Sequence, residues 1–120
     1  MAFKLNHLHL KSPDPAKTAK FYVDNLGATI VSETGGGRGF RLDLNGLPLN
    51  ITGMIDSQTH EQVFGIEHIA IDTDDFEGTV TSLKAGGARI LEETAVGNGR
   101  KVCFFEGPEG VCLEVLEMVD

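Results

Sequence analysis

The chain has no apolar run approaching the roughly 20 residues needed to cross a bilayer. Its opening residues, with Lys4, Asn6 and His7, lack the apolar centre of a secretory leader. Both absences predict a cytoplasmic protein with no membrane partner. Cysteine is scarce: Cys103 and Cys112 are too few for a disulfide scaffold, and on predicted strands they read as small core-filling thiols. Positive charge is scarce too. Ten Lys and Arg against eighteen Asp and Glu leave a net charge of −8, which argues against nucleic acid, since phosphate binding needs a basic surface. A small anionic substrate is not excluded, because it senses the charge within a pocket rather than the global sum. The glycine-rich stretches 35–39 and 97–99 lack the lysine and the strand-to-helix setting of a phosphate-binding loop and read as turns.

What the chain does contain is one unit used twice. Leu5-Asn6-His7-Leu8-His9-Leu10 opens the first half and Ile66-Glu67-His68-Ile69-Ala70-Ile71 the second, each as an alternating strand. His7 and His68 are 61 residues apart, and so are Asp14 and Asp75, which read as helix caps. In the first half the pattern predicts a helix over 16–26, ended by Gly27, then strands near 28–32, 39–44 and 47–52, the last two joined by Asn45-Gly46. In the second, a strand over 66–73 and a helix to about Lys84 precede a segment, Gly87 to Thr94, that repeats Gly27 to Thr34 at an offset of 60. Strands over 101–105 and 111–116 complete it. The prediction is an α+β protein of two βαβββ modules, about 3–54 and 65–118, joined by a polar linker over 55–64. His60, within that linker, reads as a solvated residue.

Alternation places His7 and His9 on one strand face, opposite Leu8 and Leu10, and His68 with Ala70 on the matching face of its own strand. Glu114 lies among apolar residues in what reads as an interior strand, where an ionised carboxylate costs several kcal/mol unless something positive meets it. A lone strand histidine is usually structural. The same histidine in both repeats, with a strand glutamate to complete the set, points instead to a metal held by His7, His68 and Glu114 with open coordination positions. His9 faces the same side as His7 and reads as a substrate contact, an alternative ligand or a weaker candidate base. Arg38, Arg41 and Arg100 are candidates to meet a substrate carboxylate.

The sequence resembles the vicinal oxygen chelate superfamily of glyoxalases, bleomycin-resistance proteins and extradiol dioxygenases. The resemblance rests on Asn6-His7-Leu8 through Asp14 and on Phe21-Tyr22 with Leu26-Gly27. In the second half it rests on Glu67-His68-Ile69 through Asp75 and on Gly107-Pro108-Glu109-Gly110 leading to Glu114. It implies eight strands in a cupped open barrel around a divalent ion (Zn, Ni, Mn, Co or Fe(II)) and a homodimer. It also implies metal ligands at His7, Asn50, His68 and Glu114. Asn50 departs from the pattern, because glyoxalases generally carry glutamate there and the epimerase glutamine.

The implied activity is that of a glyoxalase-like lyase or isomerase, which chelates vicinal oxygens of a small substrate and stabilises an enediolate, with Glu114 as ligand and proton shuttle. One alternative is ring cleavage at ferrous iron. The dioxygenases resembled usually carry a tyrosine before the final glutamate, whereas Phe104 and Phe105 stand here and Tyr22 is the only tyrosine. The other is non-catalytic drug sequestration, whose relatives generally lack the metal histidines.

Overall fold

The computed structural model describes residues 2–97 and 99–118, so Asn98 of the second glycine-rich turn lies outside the described residues. Each half follows the expected order. In the first, β1 (Phe3–Lys11), α1 (Pro15–Leu26), β2 (Thr29–Thr34), β3 (Gly39–Leu44) and β4 (Leu47–Thr52) follow one another. In the second come β5 (Gly65–Thr73), α2 (Phe76–Ala85), β6 (Arg89–Val96), β7 (Arg100–Glu106) and β8 (Cys112–Glu117). The fold is α+β, as expected.

The two halves repeat local devices as well as element order. Asp14 caps α1 by accepting from the Lys17 amide at 3.2 Å, and Asp75 caps α2 by accepting from the Gly78 amide at 3.0 Å. Ahead of each cap a hydroxyl pair locks the strand exit: Ser12 with Thr18 at 2.6 Å, and Thr73 with Thr79 at 2.9 Å. Gly27 ends α1 in the left-handed conformation (φ 73°), which its missing Cβ makes inexpensive. A register shift interrupts β2 between Ile30 and Ser32, and its counterpart interrupts β6 between Ile90 and Glu92.

In the first module β1 runs parallel to β4, β4 antiparallel to β3, and β3 antiparallel to β2. Leu10, Phe40, Leu42, Leu49 and Ile51 point to one face and pack with Ala19, Tyr22 and Val23 of α1. Side chains such as Leu42 and Ile51, with no exposed surface, each contribute about 1.5–3 kcal/mol on burial. The second module repeats this, β5 running parallel to β8 and β8 antiparallel to β7. Phe76, Val80 and Leu83 of α2 pack with Ile71, Cys103, Phe105 and Val115. Its opposite face holds a second apolar cluster of Ala70, Val102, Phe104 and Leu116.

By compactness the chain divides into residues 7–67 and residues 68–120 together with 1–6. The first residues join the second unit through specific bonds. Ala2 donates to the Asp74 carboxylate at 2.7 Å, and Asn6 donates to Asp72 at 3.0 Å. Cys103 is a free thiol, as expected. Cys103 is fully buried, and desolvation, reinforced by Glu93, pushes its pKa up to about 11.

Candidate metal centre

The candidate ligands lie on the sheet faces that the helices leave open. In the second module, β5 presents His68 and Ala70 on that face, and β8 presents Glu114 and Leu116. Nε2 of His68 lies 3.1 Å from Oε1 of Glu114, and the two residues are 2% and 5% exposed. The imidazole packs edge-on against Phe104, ring centroids 5.2 Å apart, and Phe104 is the cross-strand neighbour of Glu114. A nitrogen and an oxygen bound to one borderline divalent ion at about 2.0–2.2 Å sit about 3.0–3.4 Å apart. The pair has that spacing, and its donor types suit zinc, nickel, cobalt, manganese or ferrous iron. Ala70 matters to this geometry: opposite Glu114 in the β5–β8 register, it has no bulk to obstruct the carboxylate.

In the first module, β1 presents His7 and His9, both 6% exposed. Nδ1 of His9 lies 3.3 Å from Nε2 of His7, with the ring planes at 61°. The other nitrogen of His9, Nε2, meets the Thr52 hydroxyl at 2.7 Å. Thr52 in turn donates its hydroxyl proton to the Gly53 carbonyl at 2.9 Å. A hydroxyl has one proton, so His9 Nε2 is the donor to Thr52, and the neutral ring carries its lone pair on Nδ1, towards His7.

Asn50 is the register counterpart of Glu114: His9 is opposite Asn50 as Ala70 is opposite Glu114. Its Oδ1 accepts from Nη1 of Arg41 on β3 at 3.5 Å. Arg100 serves a structural role, donating to Asp72 at 2.6 Å and to the Glu117 carbonyl at 2.6 Å. Arg38 is exposed on the glycine-rich turn.

One expectation is corrected. His60 is not solvated: only 7% exposed, it sets Nε2 3.0 Å from Oε1 of Glu67, and both side chains are 1% exposed. The apparent linker is held together by Gln62, whose side chain bonds both the amide and the carbonyl of Ile55 at 2.8 and 2.9 Å. The signal in the sequence was Glu67, a carboxylate inside an apolar strand. Lys11, 2% exposed, is a second buried charge that the alternation of His7 and His9 carries to the same strand face.

Among the described residues, no helix is long and apolar enough to cross a membrane. The sequence matches, over residues 4–115, the family described as Glyoxalase/Bleomycin resistance protein/Dioxygenase superfamily. No curated protein sequence matches significantly. Among solved structures, a hypothetical protein of Bacillus halodurans C-125 superposes with a TM-score of 0.78 at 19% identity, over 100% of this chain and 97% of that one. A superfamily member from Vibrio splendidus 12B01 gives 0.70 at 17% identity over 98% and 100% of the two chains. A Streptomyces coelicolor methylmalonyl-CoA epimerase, solved with 2-nitronate-propionyl-CoA, gives 0.71 at 20% identity over 98% of each. At such identities these structures share the fold. The profile match spans nearly the whole sequence, and this chain belongs to the Glyoxalase/Bleomycin resistance protein/Dioxygenase superfamily.

Proposed function

We infer that the protein is a metal-dependent lyase or isomerase of the glyoxalase kind, acting on a small substrate with two adjacent oxygens. The observation that carries the reading is the buried His68–Glu114 pair at ligand spacing, with His7 at the equivalent place in the other repeat. In this proposal His7, His68 and Glu114 hold one divalent ion. Asn50, held by Arg41, faces the substrate at the fourth family position. The ion supplies Lewis acidity to the vicinal oxygens, lowering the energy of an enediolate.

The remaining work falls to the chain itself. Glu114 accepts the proton from the carbon beside the carbonyl and returns it to the neighbouring carbon. His68 orients that carboxylate. Val102, Phe104 and Leu116 line the same face and exclude water, which strengthens every charge interaction there. Arg41 offers a cation to a substrate carboxylate. A homodimer belongs to the same proposal and is supported by Ile30 and Val31, exposed on the edge strand β2; light scattering coupled to gel filtration tests it.

The deciding assay is turnover of methylglyoxal–glutathione hemithioacetal by metal-loaded protein, with chelated protein and His68→Ala and Glu114→Ala as controls. Absence of metal-dependent turnover removes the glyoxalase I reading. Methylmalonyl-CoA is the second substrate to assay, and solvent deuterium incorporation reports its racemisation. Ring cleavage is the weaker reading, because the fully buried residue opposite Glu114 is Phe104, which has no hydroxyl.

A further inference from the structure

We propose that His9 is a metal ligand through Nδ1, set in place by Thr52, and that it fills the coordination position that Asn50 vacates. The proposal rests on the metal-dependent reading above and extends it to a residue outside the family's ligand positions. Three observations carry it. First, the spacing: two imidazole nitrogens bound to one tetrahedral ion at about 2.0–2.1 Å sit about 3.3–3.4 Å apart. His7 Nε2 and His9 Nδ1 are 3.3 Å apart, beside the 3.1 Å of His68 and Glu114 in the other module. Each module thus offers one pair of donor atoms at ligand spacing.

Second, the His9 ring is already oriented. A ligating histidine normally donates its other N–H to an oxygen acceptor, which selects the tautomer and raises its basicity. The chain from His9 Nε2 to the Thr52 hydroxyl to the Gly53 carbonyl does this, leaving the Nδ1 lone pair beside His7.

Third, the donor and its support are exchanged together between the repeats. Lys11 is opposite Thr52 in the β1–β4 register as Asp72 is opposite Leu116 in the β5–β8 register, so Thr52 corresponds to Leu116 and His9 to Ala70. The module with a carboxylate donor on its last strand has Ala and Leu, both in an apolar cluster. The module whose last strand offers neutral Asn50 has His and Thr. Asn50 itself is engaged by Arg41, and a guanidinium is a poor neighbour for a divalent cation.

The test uses the full chain, stripped of metal and titrated with Co(II) for affinity and with Cu(II) for electron paramagnetic resonance, whose superhyperfine lines count bound nitrogens. Circular dichroism and thermal melting establish that each variant is folded. His9→Gln is expected to lose one nitrogen from the Cu(II) spectrum and to change the Co(II) ligand-field bands. Thr52→Val keeps the side-chain shape and removes the acceptor. It is expected to retain the nitrogen count while weakening Co(II) binding about 10–100-fold. If His9→Gln binds metal with unchanged affinity and nitrogen count, His9 is no ligand while the metal-dependent reading stands. If the wild-type chain binds neither ion stoichiometrically, both fall. Unchanged affinity in Thr52→Val overturns its positioning role; should His9→Gln not fold, the nitrogen count of the wild-type Cu(II) spectrum decides, three bound nitrogens supporting His9 as a ligand and two overturning it.

Discussion

Replacing Glu114 by glutamine should raise the stability of the metal-free protein and lower that of the metal-loaded protein. Glu114 brings a carboxylate into a face lined by Phe104, Val102 and Leu116, and its partner there is the His68 ring at 3.1 Å. Burying an ion costs several kcal/mol after relaxation. The contact with the His68 imidazole at 3.1 Å offsets part of that cost. The balance is a net cost of roughly 1–2 kcal/mol in the metal-free state. Glutamine keeps the shape and carries no charge, so Glu114→Gln should recover most of that cost. At about 4 °C per kcal/mol for a chain of this size, its melting temperature rises by roughly 4–8 °C.

Metal reverses the order. An ion at 100 times its dissociation constant stabilises the wild type by about 2.7 kcal/mol. If loss of the charged ligand weakens binding about 100-fold, the same concentration stabilises the variant by only about 0.4 kcal/mol. The loaded wild type then exceeds the loaded variant by roughly 1 kcal/mol. Chelated and zinc- or nickel-loaded samples, unfolded by urea and by heat, give all four stabilities. A Glu114→Gln protein that is less stable without metal, or that keeps the full metal-induced shift, would refute the reasoning: the carboxylate would then be a structural acceptor. Glu114→Ala is uninformative here, because the cavity it opens destabilises both states.

Asp75→Ala and Asp14→Ala each remove a helix cap and should each cost about 1 kcal/mol in urea unfolding, with no change in metal stoichiometry. His60→Ala removes the imidazole donor that meets the buried Glu67 carboxylate at 3.0 Å and should cost about 1–3 kcal/mol; a double-mutant cycle with Glu67→Ala should show a loss smaller than the sum of the singles. Cys103, with its pKa pushed up to about 11, is about one part in a thousand thiolate at pH 8, so alkylation of the native protein should modify Cys112 first. The folded state holds the Cys103 proton more tightly than the unfolded state does. Its contribution to stability is therefore complete below about pH 9 and lost as pH rises through about 11, a dependence that Cys103→Ala should abolish.

Much of the architecture was legible because the chain states it twice. A duplicated strand–turn–cap segment places His7 and His68, Asp14 and Asp75 without any three-dimensional information, and the repeated bulges in β2 and β6 follow from the Gly27–Thr34 and Gly87–Thr94 correspondence. What stayed hidden lies outside the repeat or depends on a direction. His60 sits in a segment with no periodicity, so nothing local distinguishes it from a solvated loop residue. Its burial comes from Glu67, on the strand that follows. Thr52 reads as an ordinary strand residue until its hydroxyl is seen between His9 and the Gly53 carbonyl. The grouping of the first residues of β1 with the second compact unit depends on Ala2 and Asn6 meeting Asp74 and Asp72, pairs more than sixty residues apart.

The two modules differ where side-chain size decides which strand supplies a donor. At the position beside the last strand, the small Ala70 leaves Glu114 free to extend along the sheet face towards His68, so in the proposed site the second donor of this module comes from β8. His9, at the matching place, occupies that space itself, and a glutamate at position 50 would contend with its ring. A shorter neutral Asn50 coexists with His9 and turns to Arg41 instead. Donor identity at 9 and 50, and at 70 and 114, is therefore one coupled choice in each module. It also sets local charge: the carboxylate module contributes the negative charge of Glu114, and the imidazole module contributes none and adds the guanidinium of Arg41 and the buried ammonium of Lys11. On the proposed metal-dependent reading, a divalent ion held by such a set would keep more net positive charge than one held by two carboxylates, which would favour an anionic oxygen pair on the substrate and strengthen its polarisation.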